Sequence, residues 1–156
     1  GLGEAFLIWG EKGYKAHASE GGHCSFAPTN DNQVQLLNYL RKKLDHVSYE
    51  RVCSGSGIPN LYAYIKDSHQ APEPEWLRSE LETVSDPNPT IFRAAQEGNE
   101  SIAQKTLALF IEILADEAAN LALKVMASGG IYLGGGIPPR LTDLNDPRTF
   151  MAAFTN

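Results

Sequence analysis

Glu20, Gly21, Gly22 and His23 place a carboxylate and an imidazole on either side of two glycines, and Glu50 adds a second carboxylate further along. Carboxylates accept hydrogen bonds and an imidazole can both donate and accept, so this set suits a small ligand rich in hydroxyl groups, such as a sugar. The residue types also admit plainer roles. Glu50 fits a solvated charge or a helix-cap partner, and His23 fits a loop histidine satisfied by backbone, since most charged side chains lie at the surface. Glycines concentrate at positions 1–3, 21–22, 55–57 and 129–136. Gly-rich turns beside helix starts can cradle phosphate oxygens with backbone N–H groups, although strand-to-helix turns use glycine without any ligand. No Gly-Lys-Ser or Gly-Lys-Thr phosphate loop and no GxGxxG is present. Cys24 follows His23 directly, with no further Cys or His at ligand spacing, so no metal site is expected. Sequence neighbours also seldom orient as nucleophile and base, which argues against a Cys24–His23 pair.

The chain has 156 residues, enough for one domain with a real core. A net charge of -6 argues against a nucleic-acid surface, which needs clustered Lys and Arg. Cys24 and Cys53 do not make a disulfide framework and fit a reducing, cytoplasmic compartment. The one long apolar stretch, residues 107–126, carries Glu112, Asp116, Glu117 and Lys124, so it reads as a buried helix and not a membrane span.

The elements that must position these residues are a mixture of strands and helices. Phe6 to Trp9 form an apolar strand, Glu11-Lys12-Gly13 a hairpin turn, and Tyr14, Ala16 and Ala18 alternate with Lys15, His17 and Ser19 on a second strand with one wet face. Residues 20–30 form a loop. Thr29, Asn30 and Asp31 offer caps for a helix carrying Val34, Leu37, Leu40 and Leu44 on one face. Tyr49 to Cys53 read as a short strand that turns through Ser54-Gly55-Ser56-Gly57 into a helix carrying Ile58, Leu61, Tyr62 and Ile65. Residues 71–89, with four prolines, are expected to be a surface excursion, followed by a short helix at 90–96 ended by Gly98. Asn99 or Ser101 would cap a long central helix, and Ile131, Tyr132 and Leu133 a last strand. This order predicts a mixed α/β domain.

Taken together, several segments resemble the bacterial-type glucokinase family, hexokinase-like sugar kinases. They are Gly1-Leu2-Gly3, Glu20-Gly21-Gly22-His23 with Phe26-Ala27-Pro28, Glu50-Arg51-Val52 with Ser54, Gly55 and Gly57, Asn60-Leu61-Tyr62, Asn120-Leu121-Ala122-Leu123, and Gly134-Gly135-Gly136-Ile137 with Pro139-Arg140. Phe150 and Ala153-Phe154 match the family's late helix. The resemblance implies a ribonuclease H-like, actin-type ATPase fold with a mixed sheet and flanking helices. It implies ATP-dependent phosphorylation of glucose to glucose 6-phosphate, with Mg²⁺. Glu20, His23 and Glu50 match the family's glucose-binding residues. Gly1, Leu2 and Gly3 resemble the end of a Gly-Thr-Gly-Leu-Gly loop at the ATP phosphates, and Gly134, Gly135 and Gly136 the motif at the adenosine. Gly55 and Gly57 would shape the interdomain cleft, and the helix around Asn120 would lie beneath the adenosine motif.

The departures shape the expectation equally. The family's first phosphate loop, and the Asn-Asp pair whose Asp is the catalytic base, have no counterpart among these residues, and a final strand and helix would follow Phe154. The expectation is therefore an incomplete large C-terminal domain over residues 1–156, truncated at both ends, without the small N-terminal domain and inactive alone. The family also implies a cytoplasmic homodimer, with no nucleic acid and no membrane. The alternatives are a ROK-type kinase for another hexose, a sugar-sensing regulator on the same fold, or a non-catalytic interaction module. The Cys-rich zinc motif of the ROK group is not matched by Cys24-Ser25-Phe26-Ala27-Pro28. A regulator would need a basic helix-turn-helix, which this acidic chain does not supply.

Overall fold

A computed structural model describes residues 1–98, 100–141 and 147–156. The chain opens with β1 (Glu4–Gly10) and β2 (Gly13–Ser19), then runs through seven helices: α1 (Asp31–Leu40), α2 (Gly57–Asp67), α3 (Glu75–Leu81), α4 (Asn88–Gln96), α5 (Ser101–Val125), α6 (Pro138–Leu141) and α7 (Pro147–Phe154). β1 and β2 pair antiparallel from Glu4↔Ser19 to Gly10↔Gly13, which leaves Glu11 and Lys12 as the turn. Gly13 takes φ +108, a conformation that favours glycine. Aromatic pairs pin the register: Phe6 stacks on His17 at 5.3 Å, and Trp9 meets Tyr14 edge-on at 4.9 Å. The expected wet and dry faces are reversed. Tyr14, Ala16 and Ala18 are exposed, whereas His17 and Ser19 are half-buried.

The core lies among the helices. α5 packs against α2, α4 and α7. Ile102, Ala103, Leu107, Phe110 and Ile113 on α5 are buried, as are Ile58, Leu61 and Ile65 on α2 and Ile91 on α4. Each fully buried Leu or Ile side chain contributes roughly 1.5–3 kcal/mol by leaving water. Among the described residues no helix is long and apolar enough to cross a membrane.

Four expected elements differ. Tyr49 to Cys53 do not form a strand. Tyr49–Arg51 is a 3-10 turn, with Val52 and Cys53 N–H both donating to the Tyr49 carbonyl, at 3.0 and 2.6 Å. A strand needs a partner edge, and the only ladder contact here is the Ser25↔Ser48 bridge just before it. Residues 131–133 likewise find no ladder partner among the described residues, so the mixed sheet reduces there to the β1–β2 pair. The 71–89 stretch contains α3, whose Leu77 is fully buried, while Pro87 and Pro89 begin α4, where a first-turn proline loses no helical bond. Finally, α1 is rotated: Gln33, Leu36 and Leu40 are buried and Val34 is 45% exposed. The reason is polar. Gln33 Nε2 donates to Glu112 Oε1 at 2.7 Å and to Asp116 Oδ2 at 2.9 Å on α5, which draws that face inward.

Asn30 caps α1, accepting from the Gln33 N–H at 3.0 Å. The α5 cap position is Glu100, without a side-chain cap bond; Ser101 is the first helical residue and Asn99 lies outside the described residues.

Candidate functional site

Gly21–His23 form a 3-10 turn, closed by His23 N–H to the Glu20 carbonyl at 2.9 Å and Cys24 N–H to the Gly21 carbonyl at 2.8 Å. The turn holds Glu20 and His23 in solvent, with their side chains 91% and 64% exposed and Glu20 Oε2 3.7 Å from His23 Nε2. Gly22 is required by close approach to backbone, whereas Gly21 meets only the movable end of a side chain. A Cβ on Gly22 would lie 2.3 Å from the Leu2 carbonyl oxygen, and one on Gly21 would lie 1.8 Å from Glu4 Oε2. Residues 2–4 therefore run directly beneath the turn.

Glu50 sits on the second 3-10 turn. Phe26 N–H donates to the Val47 carbonyl at 2.9 Å and Tyr49 N–H donates to the Cys24 carbonyl at 3.0 Å, so the two turns are sewn together by backbone. Glu50 is half-buried, and its Oε2 accepts from the Leu2 N–H at 3.3 Å. The Ser54 hydroxyl fixes the turn from behind, donating to the Glu50 carbonyl at 2.6 Å. Glu20, His23 and Glu50 are thus carried by two adjoining turns that both rest on the first residues of the chain.

A cavity of about 150 Å³ opens beside them, with Leu2, Gly3, Leu121 and Gly134 in its walls and Glu4 and Glu117 as its acidic groups. Burial, and then the neighbouring Glu117 carboxylate, hold the Glu4 carboxyl above the usual carboxylate range. Among the described residues Glu4 Oε1 and Glu117 Oε1 are buried without hydrogen-bond partners, and Lys124 Nζ stands 3.6 Å from Glu117 Oε1. Asn120 Nδ2 donates to Glu117 Oε2 and to the Tyr49 hydroxyl, each at 3.0 Å, which ties the cavity to the Glu50 turn. Burial and then Glu117 push the Tyr49 hydroxyl up to about 12.

Of the six residues expected at a nucleotide, Leu2, Gly3 and Gly134 line this cavity. Gly1 lies against Glu50 instead, and Gly135 (φ +103) and Gly136 carry the chain on toward α6. A Cβ on Gly3, Gly134 or Gly136 would meet nothing within 4 Å, so these positions face open space. Sequence reasoning missed Glu4 and Glu117. The available signal was a lone acid at the start of an apolar strand and another in the middle of an apolar helix.

The Glucokinase family model matches residues 1–156. The chain belongs to the glucokinase family. A glucokinase of Trichormus variabilis is 40% identical over 167 residues, covering 99% of this chain and 49% of that protein. The chain thus spans about half the length of the curated relatives it matches. Among solved structures, a glucokinase from an Antarctic psychrotroph superposes with a TM-score of 0.75 at 33% identity, covering 97% of this chain and 43% of that one. The glucokinase of Balamuthia mandrillaris, solved in complex with glucose, shares the fold with a TM-score of 0.79 at 24% identity, covering 99% of this chain and 42% of its own. The mixed α/β arrangement is therefore the glucokinase fold.

Proposed function

We propose that residues 1–156 are the large C-terminal sugar- and nucleotide-binding domain of an ATP-dependent glucose kinase, built on the ribonuclease H-like, actin-type ATPase fold. In this reading Glu20, His23 and Glu50 take hydrogen bonds from the hydroxyls of glucose. ATP lies over the cavity between Leu2-Gly3 and Gly134, where glycines leave its backbone approach open. The reaction transfers the terminal phosphoryl group of ATP to the sugar, giving glucose 6-phosphate. Phosphoryl transfer depends chiefly on positioning and charge stabilisation, and this half supplies the positioning. Proton removal from the sugar hydroxyl falls to a catalytic Asp that these residues do not include. Among the described residues no three His, Cys, Asp or Glu side chains are grouped to hold a metal. Mg²⁺ would bridge the ATP phosphates, as phosphoryl transfer generally requires, and no ligand in this chain is assigned to it. A cytoplasmic homodimer is part of the same reading by family analogy.

One observation supports this most directly: the Glu50 carboxylate touches the backbone of Leu2, which itself lines the cavity. The donor and acceptor of a transferred phosphoryl group must lie side by side, and here the two candidate sites do. The test is a coupled ADP-release assay on the full-length enzyme of which this chain would be half, with glucose, mannose, fructose and N-acetylglucosamine. The expected result is strong preference for glucose, lost in Glu50→Gln, and negligible turnover by the 156-residue chain alone. No activity on glucose, or equal activity on another sugar, would overturn the substrate assignment.

A further inference from the structure

We infer that Glu50 is also a positioning residue for the segment over the nucleotide cavity, so that sugar binding is transmitted to residues 1–3 through its carboxylate. The inference rests on the sugar-clamp reading above and adds to it a second role for the same side chain. Two contacts carry it. The Leu2 N–H donates to Glu50 Oε2 at 3.3 Å, and Gly1 lies so close that a Cβ there would be 3.0 Å from the same oxygen. On the opposite side the Leu2 carbonyl rests on Gly22, where a Cβ would come within 2.3 Å. Leu2 is therefore gripped from both sides by the two turns that carry the candidate sugar residues, its N–H by Glu50 and its carbonyl by the turn of Glu20 and His23.

The grip has a direction. A carboxylate has two oxygens with about four acceptor sites between them, so with Oε2 on the Leu2 N–H the group can still accept from a sugar hydroxyl. A hydroxyl held there fixes the rotation of the Glu50 side chain and with it the bond to Leu2. A half-buried glutamate that is ordered by one partner costs less to order for the next, so each ligand prepares the site of the other. Such a coupling is reciprocal by thermodynamic necessity. Leu2 and Gly3, which wall the cavity, are the segment it reaches.

The test is an amide NMR titration with glucose of the full-length enzyme of which this chain would be half, comparing the wild type with Glu50→Ala and Glu50→Gln. The Leu2 and Gly3 amides are expected to shift with the same saturation curve as Glu20 and His23. In Glu50→Ala the sugar-free Leu2 N–H should move upfield as its acceptor is lost, and at glucose concentrations that still shift Glu20 and His23 the response of Leu2 and Gly3 should vanish. Glu50→Gln, which keeps an acceptor oxygen, should return the sugar-free Leu2 N–H part of the way downfield. The remaining dispersed amides report that each variant is folded. Saturating shifts at Glu20 and His23 with none at Leu2 and Gly3 would refute the coupling while leaving the sugar clamp standing. A full-length enzyme in which none of these resonances responds to glucose refutes the clamp itself, and the coupling with it.

Discussion

Glu4 and Glu117 bring two carboxyls to one cavity near Lys124, and among the described residues Glu4 Oε1 and Glu117 Oε1 have no hydrogen-bond donor. Burial, and then Glu117, raise the Glu4 carboxyl above its ordinary value of 4.5. A carboxyl raised in the folded state binds its proton more tightly there than in the unfolded chain. Stability is then intact below about 4.5 and declines as pH rises from there through the folded value. Replacement by Glu4→Gln should raise the urea midpoint at pH 7 but not at pH 4, by less than about 1 kcal/mol because Glu4 keeps part of its water. An equal effect at both pH values would show that charge is not the cause. The cysteines offer a cleaner contrast. Cys24 is exposed, whereas Cys53 is buried and its thiol is pushed up to about 12, first by burial. A thiol-reactive dye should label one cysteine rapidly in the folded chain and two in denaturant; rapid labelling of both in buffer would contradict the packing around Cys53.

At the scale of elements, the junction of α1 with α5 decides how the 20–30 loop is anchored. Gln33 is fully buried and donates to Glu112 and Asp116, while its Oε1 accepts from the Thr29 N–H at 3.0 Å. The Thr29 hydroxyl adds a bond to Asp116 Oδ2 at 3.0 Å. Gln33→Leu would keep the bulk and strip these partners of their bonds, at a cost of about 1–3 kcal/mol. Guanidinium unfolding of the variant measures this, and an unchanged midpoint would mean the network is solvent-replaceable. This junction was not legible in the sequence. Apolar spacing favoured Val34 on the buried face, but the acids that pull Gln33 inward stand on α5, far along the chain. The caps and helices read from local signals fared better: Asn30 at α1, the Gly57 start of α2, and the buried Ile58, Leu61, Tyr62 and Ile65. Helical periodicity and capping are local properties, and strands depend on a partner. That difference explains why 49–53 and 131–133 were misread while the β1–β2 hairpin, whose partner is its sequence neighbour, was not.

For the molecule as a whole, the described surface is unevenly covered. Leu7, Ile8, Trp9 and Tyr14 on the hairpin are each more than half exposed, and Leu123, Met126 and Tyr132 still more so. Two strands with open edges and apolar side chains on both faces invite edge pairing. The 156-residue chain should therefore self-associate, its weight-average mass by light scattering rising with concentration, and Ile8→Lys should suppress the rise. A constant monomer mass across the concentration range would refute this.

What the sequence by itself determined was the set of chemical groups and the membership of a family. The segments that carry Glu20, His23 and Glu50 and the glycine clusters resemble one family, and the family match over residues 1–156 bears out that membership. It also determined the helical core, because periodic burial is written locally. What only the tertiary structure decided was adjacency. Gly22 is needed because the Leu2 backbone passes beneath it, and Glu50 matters to Leu2 because backbone bonds sew its turn to the first. Glu4 and Glu117 meet only where the start of β1 comes up to α5 at the cavity. Such meetings join residues far apart along the chain, and no local pattern of residue types encodes them.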